Sequence, residues 1–188
     1  MARKAIGSGR LSALAVMALA GCSNAKPAPM VAMSCPRASV LEEAAELTRF
    51  KPGAILQPEN ADFVAEIVAV TIKCRPPIDA SSINSEVEMQ IAAAKGLAGD
   101  AAAVKPGRGG STVAYFVAIL DRSQKILAKE VFEVSLGLSA EQTQATVNER
   151  LEPRIPLLPG QTGNDVQIMV GFQLSPDELA WNRRQSGK

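Results

Sequence analysis

The sequence contains no histidine in its 188 residues. Nucleophilic sites built as Ser-His-Asp or Cys-His are therefore excluded, and the commonest transition-metal ligand is missing. Aromatic residues are few, with one Trp, one Tyr and five Phe, so no aromatic platform for a sugar is evident. The N-terminal apolar run, LSALAVMALA at residues 11–20, is too short to span a bilayer, which takes ~20 apolar residues.

What surrounds that run is informative. Arg3, Lys4 and Arg10 precede or flank it, and the first ten residues hold no acid. A basic start, a short apolar stretch and a small-residue exit, in that order, make a secretory signal peptide rather than a buried N-terminal helix. The exit reads Leu19-Ala20-Gly21-Cys22. It resembles the lipobox of bacterial lipoproteins at all four positions: Leu, a small residue, Gly or Ala, then Cys. The resemblance implies a diacylglycerol on the Cys22 sulfur, cleavage between Gly21 and Cys22 by signal peptidase II, and acylation of the new amine. Two or three acyl chains anchor stably, whereas one binds only marginally. Ser23 at the following position implies transport to the outer membrane, where Asp would favour inner-membrane retention. No twin-arginine pair precedes the run, which points to the general secretory route. Cys22 is thus expected to be a lipid attachment point, not a catalytic thiol.

Residues 1–21 are accordingly a leader and residues 22–34 a lipidated tether, with SNAKPAPMVAMS carrying two prolines and no acid. Fully extended, the stretch from Cys22 to Cys35 spans at most ~45 Å, which would keep the domain near its membrane, facing the periplasm. Leaving out the three basic residues of the leader brings the 20 basic residues to 17 against 19 acidic ones, a balance of −2. That balance argues against nucleic acid, which calls for a basic patch or stripe. The exported part keeps two thiols, Cys35 and Cys74. Two are too few for a Cys-rich zinc site, so neither a metal nor a cofactor is expected. In an oxidising compartment an even pair is expected to be bridged, the alternative being two separate buried thiols. The bridge would pin the start of the domain to the end of its first long strand.

Along the chain, ASVL at 38–41 reads as a short strand and LEEAAELTRF at 41–50 as a helix, stopped by KPG at 51–53. DFVAEIVAVTIKC, 62–74, alternates with Phe63, Ala65 and Ile67 on one face, then with Val68, Val70, Ile72 and Cys74 on the other. A change of face partway suggests a bulge or a strand buried on both sides. EVEMQI at 86–91 alternates cleanly, and residues 95–112 form a Gly- and Ala-rich connection. Strands at 112–120 and 125–136 flank a turn at 121–124 and predict a hairpin. Residues 139–147 read as a helical turn or loop, 149–157 as an edge strand carrying Pro153 and Pro156, and 165–174 as an alternating strand. Ser175 as N-cap, Pro176 and Glu178 then predict a capped helix.

About seven strands separated by turns predict one domain over 35–188, mainly β: an immunoglobulin-like two-sheet β-sandwich with a short C-terminal helix, or else a small barrel. The stretches CPRASVLEEAAELTRFKPG, AEIVAVTIKC, AYFVAILD, ILAKEVFEV and VGFQLSPDELAWNRR carry a further resemblance, over most of 35–184, to an uncharacterised family of proteobacterial lipoproteins. It implies anchoring and no particular activity.

No catalytic constellation stands out. GRGGST at 107–112 lacks the Lys of a phosphate loop and precedes a strand. Ser23 and Lys26 have the Ser-x-x-Lys spacing but lie in the tether. Glu86 and Glu88 share a strand face, as solvated strands commonly arrange charge; paired carboxylates could also serve a glycosidase. Trp181 is expected to pack back on the sandwich. The sequence thus points to a non-enzymatic, membrane-anchored module that binds other envelope proteins. The alternatives are a hydrolase of envelope polymers using carboxylates or Ser/Lys, and a small-ligand binder with a pocket between the sheets. With 149–157 blocked by its prolines, the loops 75–85 and 96–111 are the expected contacts.

Overall fold

The change of face within residues 62–74 is resolved by a bulge. The computed structural model describes residues 34–75, 81–99, 112–139 and 141–187. In it β3 (Ala61–Arg75) pairs antiparallel with β4 (Ser82–Lys95), with Ile67 opposite Ile91 and then Ala69 opposite Gln90. Val68 is the extra residue. It resets the two-residue period, so that Phe63, Ala65 and Ile67 and then Val70, Ile72 and Cys74 all meet the same core.

The other strands are β1 (Arg37–Val40), β2 (Glu46–Phe50), β5 (Thr112–Asp121), β6 (Ile126–Ser135), β7 (Gln144–Leu151), β8 (Arg154–Pro156) and β9 (Val166–Phe172), and α1 (Pro176–Gln185) follows. One sheet runs β1-β9-β5-β6 and the other β2-β3-β4-β7, with β8 pairing the start of β4. Only the β1–β9 pair is parallel. Side chains from both inner faces, among them Leu47, Ile83, Ile91, Tyr115, Ile168 and Phe172, form a single buried cluster. The expected mainly-β, two-sheet sandwich is therefore present. The expected hairpin is β5–β6. Its turn is held by Asp121 Oδ1, which accepts from the N–H of Ser123 at 2.8 Å and of Lys125 at 3.0 Å.

Two stretches differ from expectation. Residues 41–50 are not a helix: a 3-10 turn at Glu42–Ala44 leads directly into β2. An isolated helix of about ten residues is marginal in water. As a strand, this segment satisfies its backbone against β3 and buries Leu47 and Thr48. The turn itself is seated on the outer face of the β1-β9-β5-β6 sheet, where Ala44 packs with Phe116, Ala118 and Leu120. Gly171 makes room for it, since a Cβ there would meet Ala44 and the Phe116 ring at 2.9 Å. The polar stretch 139–147 is only partly a turn. Ser139 and Gln142 close that turn, and β7 begins at Gln144 because Ala145, Val147 and Leu151 alternate toward the core. The expected edge strand at 149–157 divides at Pro153 into the end of β7 and β8, both at the sheet edge.

The capped C-terminal helix forms as its sequence predicts. Ser175 Oγ accepts from the Glu178 N–H at 3.3 Å, and Glu178 Oε2 accepts from the Ser175 N–H at 2.8 Å. Glu178 also accepts from Arg49 Nε at 2.8 Å, joining α1 to β2. Trp181 packs edge-on against Phe50 with ring centroids 5.0 Å apart. The Asn182 amide donates to the carbonyls of Glu43 and Glu46. Together α1 and the 41–45 crossover cover one side of the sandwich. No helix among the described residues is long and apolar enough to cross a membrane.

Candidate functional site

Cys35 and Cys74 form a disulfide, with Cα atoms 5.7 Å apart. Cys35 lies just before β1 in one sheet and Cys74 near the end of β3 in the other. The bridge therefore clamps the two sheets together where the chain enters the domain. Ser34 lies at that point, its hydroxyl accepting from the Asn164 N–H at 3.2 Å. Gly21, Cys22, Ser23 and Lys26, and residues 107–111 of GRGGST, lie outside the described residues. So do 76–80, part of the expected contact loop 75–85, and 100–111, most of the expected contact loop 96–111.

Glu86 and Glu88 do come together, on the outer face of β4, but among cations. Lys73 and Arg75 on β3 and Arg150 on β7 surround them. Glu88 bonds Lys73 at 3.1 Å and also pairs with Arg150, while Glu86 lies 3.2 Å from Arg75 and 3.8 Å from Lys73. The Lys73 hydrogen bond, then that of Arg150, holds the Glu88 carboxyl below its usual range. A general acid needs the opposite shift. The arrangement suits a solvated ionic lattice across three strands, in which each pair contributes little. Tyr115 is fully buried between the sheets, and burial, then the Glu149 charge, pushes its phenol well above the usual value. That environment opposes the phenolate a base would require. Among the described residues no group of three or more His, Cys, Asp or Glu is placed to hold a metal ion.

A feature not anticipated from the sequence lies on the other side of the sandwich. The β6 strand is an edge, paired only with β5 among the described residues. It is ten residues long and contains no proline. Its apolar residues Ile126, Leu127 and Val131 are 46–55% exposed. The other edges are shorter or obstructed: β1 has four residues, β2 is flanked by α1, and β7–β8 carries Pro153 and Pro156. Lysine on an edge normally discourages pairing. Here the Lys129 ammonium is drawn back, 4.4 Å from the Phe116 ring and 3.0 Å from Gln173 Oε1.

Beside β6 the two sheets stand apart. A groove of about 280 Å³ opens between β6 and the β7–β8 corner, its apolar lining supplied by Val117, Ile119, Phe132 and Leu151, with Glu130, Glu152 and Arg154 also lining it. An open edge beside an apolar groove suits an added strand, with main-chain bonds giving affinity and the groove receiving alternate side chains. In ILAKEVFEVS apolar residues fall on both faces of the strand, a pattern that does not by itself mark an edge. A larger trough of about 650 Å³ on the outer face of β2-β3-β4-β7 is shallow, lined by Thr48, Val64, Glu66, Ala92, Ala94 and Thr146. Glu46, Gln142 and Gln144 also line it. No family model matches the chain, and no curated protein or solved structure matches it either.

Proposed function

We propose that this chain is a lipid-anchored protein of the cell envelope whose sandwich domain binds other proteins and performs no chemistry of its own. The basic start, the apolar run and Leu19-Ala20-Gly21-Cys22 support the anchor, through acylated Cys22, and Ser23 favours the outer membrane facing the periplasm. The observation that carries the binding role is the β6 edge, long and free of proline, beside its apolar groove. Among the described residues, Glu86 and Glu88, the carboxylates of the hydrolase alternative, are held by Lys73, Arg75 and Arg150.

Two experiments test the parts separately. Cys22→Ser is expected to abolish fatty-acid labelling and leave an uncleaved or mislocalised precursor; normal labelling and membrane retention would refute the anchor. Glu86→Gln and Glu88→Gln are expected to retain the wild-type envelope phenotype, whereas Val131→Lys on β6 is expected to weaken it without unfolding the domain. A folded, anchored carboxylate variant that loses the phenotype would favour the hydrolase.

A further inference from the structure

The outward face of β6 carries Lys129, Val131 and Glu133, opposite Ala118, Phe116 and Ala114 of β5. The register is unbroken from Ala128 to Ser135, so these three side chains share a face. Glu133 has no ion-pair partner among the described residues, and Val131 is 53% exposed.

We infer that β6 pairs with β6 of a second copy, antiparallel and centred on Val131. This rests on the proposed binding role of the edge and names its partner. A two-fold axis normal to the sheet keeps outer residues opposite outer residues, so it must fall on a residue position. On Val131 it places valine against valine and Lys129 against Glu133 twice, once on each side, with the Lys129 ammonium turning outward from Phe116 and Gln173. On Glu130 it would set that carboxylate against its own copy, and on Phe132 it would leave Lys129 opposite Ser135. Directly opposite opposite-charge pairs stabilise a sheet and like charges destabilise it, so charge complementarity selects Val131. In that register Phe132 and Val134 of the second copy lie over Glu130 and Ala128, at the mouth of the apolar groove. The two four-stranded sheets become one continuous sheet, and both β6 edges are removed.

The test uses the full chain in mild detergent and in cells. Val131→Cys should give a disulfide-linked dimer that wild type does not, since opposite Cβ atoms lie ~5 Å apart. Lys129→Cys alone should not cross-link, while Lys129→Cys with Glu133→Cys should. Lys129→Glu should weaken association by roughly tenfold or more, by sedimentation, and Lys129→Glu with Glu133→Lys should restore it. Cross-linking through Lys129→Cys but not Val131→Cys would overturn the register. A photo-cross-linker at position 131 that captures a different envelope protein, in a chain that stays monomeric, would overturn the second copy and leave the binding role standing. Capture of nothing by a folded, anchored chain would overturn both.

Discussion

The Tyr115 hydroxyl donates to Glu149 Oε2 at 3.1 Å, linking β5 of one sheet to β7 of the other through the core. The phenol ring also stacks on Phe132 of β6, with centroids 5.5 Å apart. This one side chain therefore joins both sheets at the floor of the open side. Tyr115→Phe keeps the ring and removes the donor, and is expected to cost about 1–2 kcal/mol, with Glu149→Gln costing less because an acceptor remains. Denaturant titration of the two variants measures this; equal stability of Tyr115→Phe and wild type would contradict it.

Tyr115 is the only tyrosine, so tyrosinate absorbance reads it alone. Its folded pKa is raised. The associated stabilisation is complete below the unfolded value of about 10 and fades as pH rises toward the folded one. The absorbance change is expected to appear only with alkaline unfolding. A reversible titration at the ordinary phenol value in folded protein would be inconsistent with the buried geometry.

Reducing the Cys35–Cys74 bridge releases a sequence separation of 39 residues. Chain entropy puts the loss at about 4 kcal/mol as an upper figure. The thermal midpoint should fall on reduction and should not fall in a Cys35→Ala, Cys74→Ala double variant treated the same way.

Ser175→Ala removes the α1 cap and should cost about 1 kcal/mol. Trp181 is the only tryptophan and rests on Phe50, so its fluorescence should redshift at lower denaturant than the global transition. A single coincident transition in the variant, unchanged from wild type, would show that the cap does not matter.

Acid should destabilise the domain through particular carboxylates. The Lys73 and Arg150 hydrogen bonds lower Glu88, the Ser123 hydroxyl and the Lys125 N–H lower Asp121, and the Thr162 N–H and hydroxyl lower Asp165. Groups lowered in the folded state contribute stability above the unfolded value of about 4, and lose it as pH falls through the folded value. Asp165→Asn should therefore be less stable at neutral pH and show a shallower decline in thermal midpoint below about pH 4. An unchanged acid slope would argue against the Thr162 contact.

Where local chemistry and tertiary structure agreed, the sequence was readable. The β5–β6 hairpin, the alternation of β9, the Ser175 cap and the Cys35–Cys74 pair all rest on signals within a few residues or on simple pairing arithmetic. The helix expected at 41–50 failed because its helical composition is a weak prior, overridden when β3 offers Leu47 a buried site and its backbone a ladder. The β7 strand was obscured by its polar outer face, where Gln144, Thr146, Asn148 and Arg150 all point to solvent. The open β6 edge was not legible, because strand order decides which strand has one neighbour. Alternation within ILAKEVFEVS cannot say whether a second strand lies beyond it.

The disulfide has a mechanical consequence. A pull applied at Ser34 meets Cys35 as the next residue. Without the bridge, a pull would act first on the four residues of β1, sliding them against β9. With it, force passes at once into Cys74 and along the fifteen-residue β3, which β4 pairs from Phe63 to Arg75 and β2 pairs from Ala61 to Glu66. The four-residue β1 is thereby bypassed, and the load is carried by the long β3–β4 ladder of the opposite sheet.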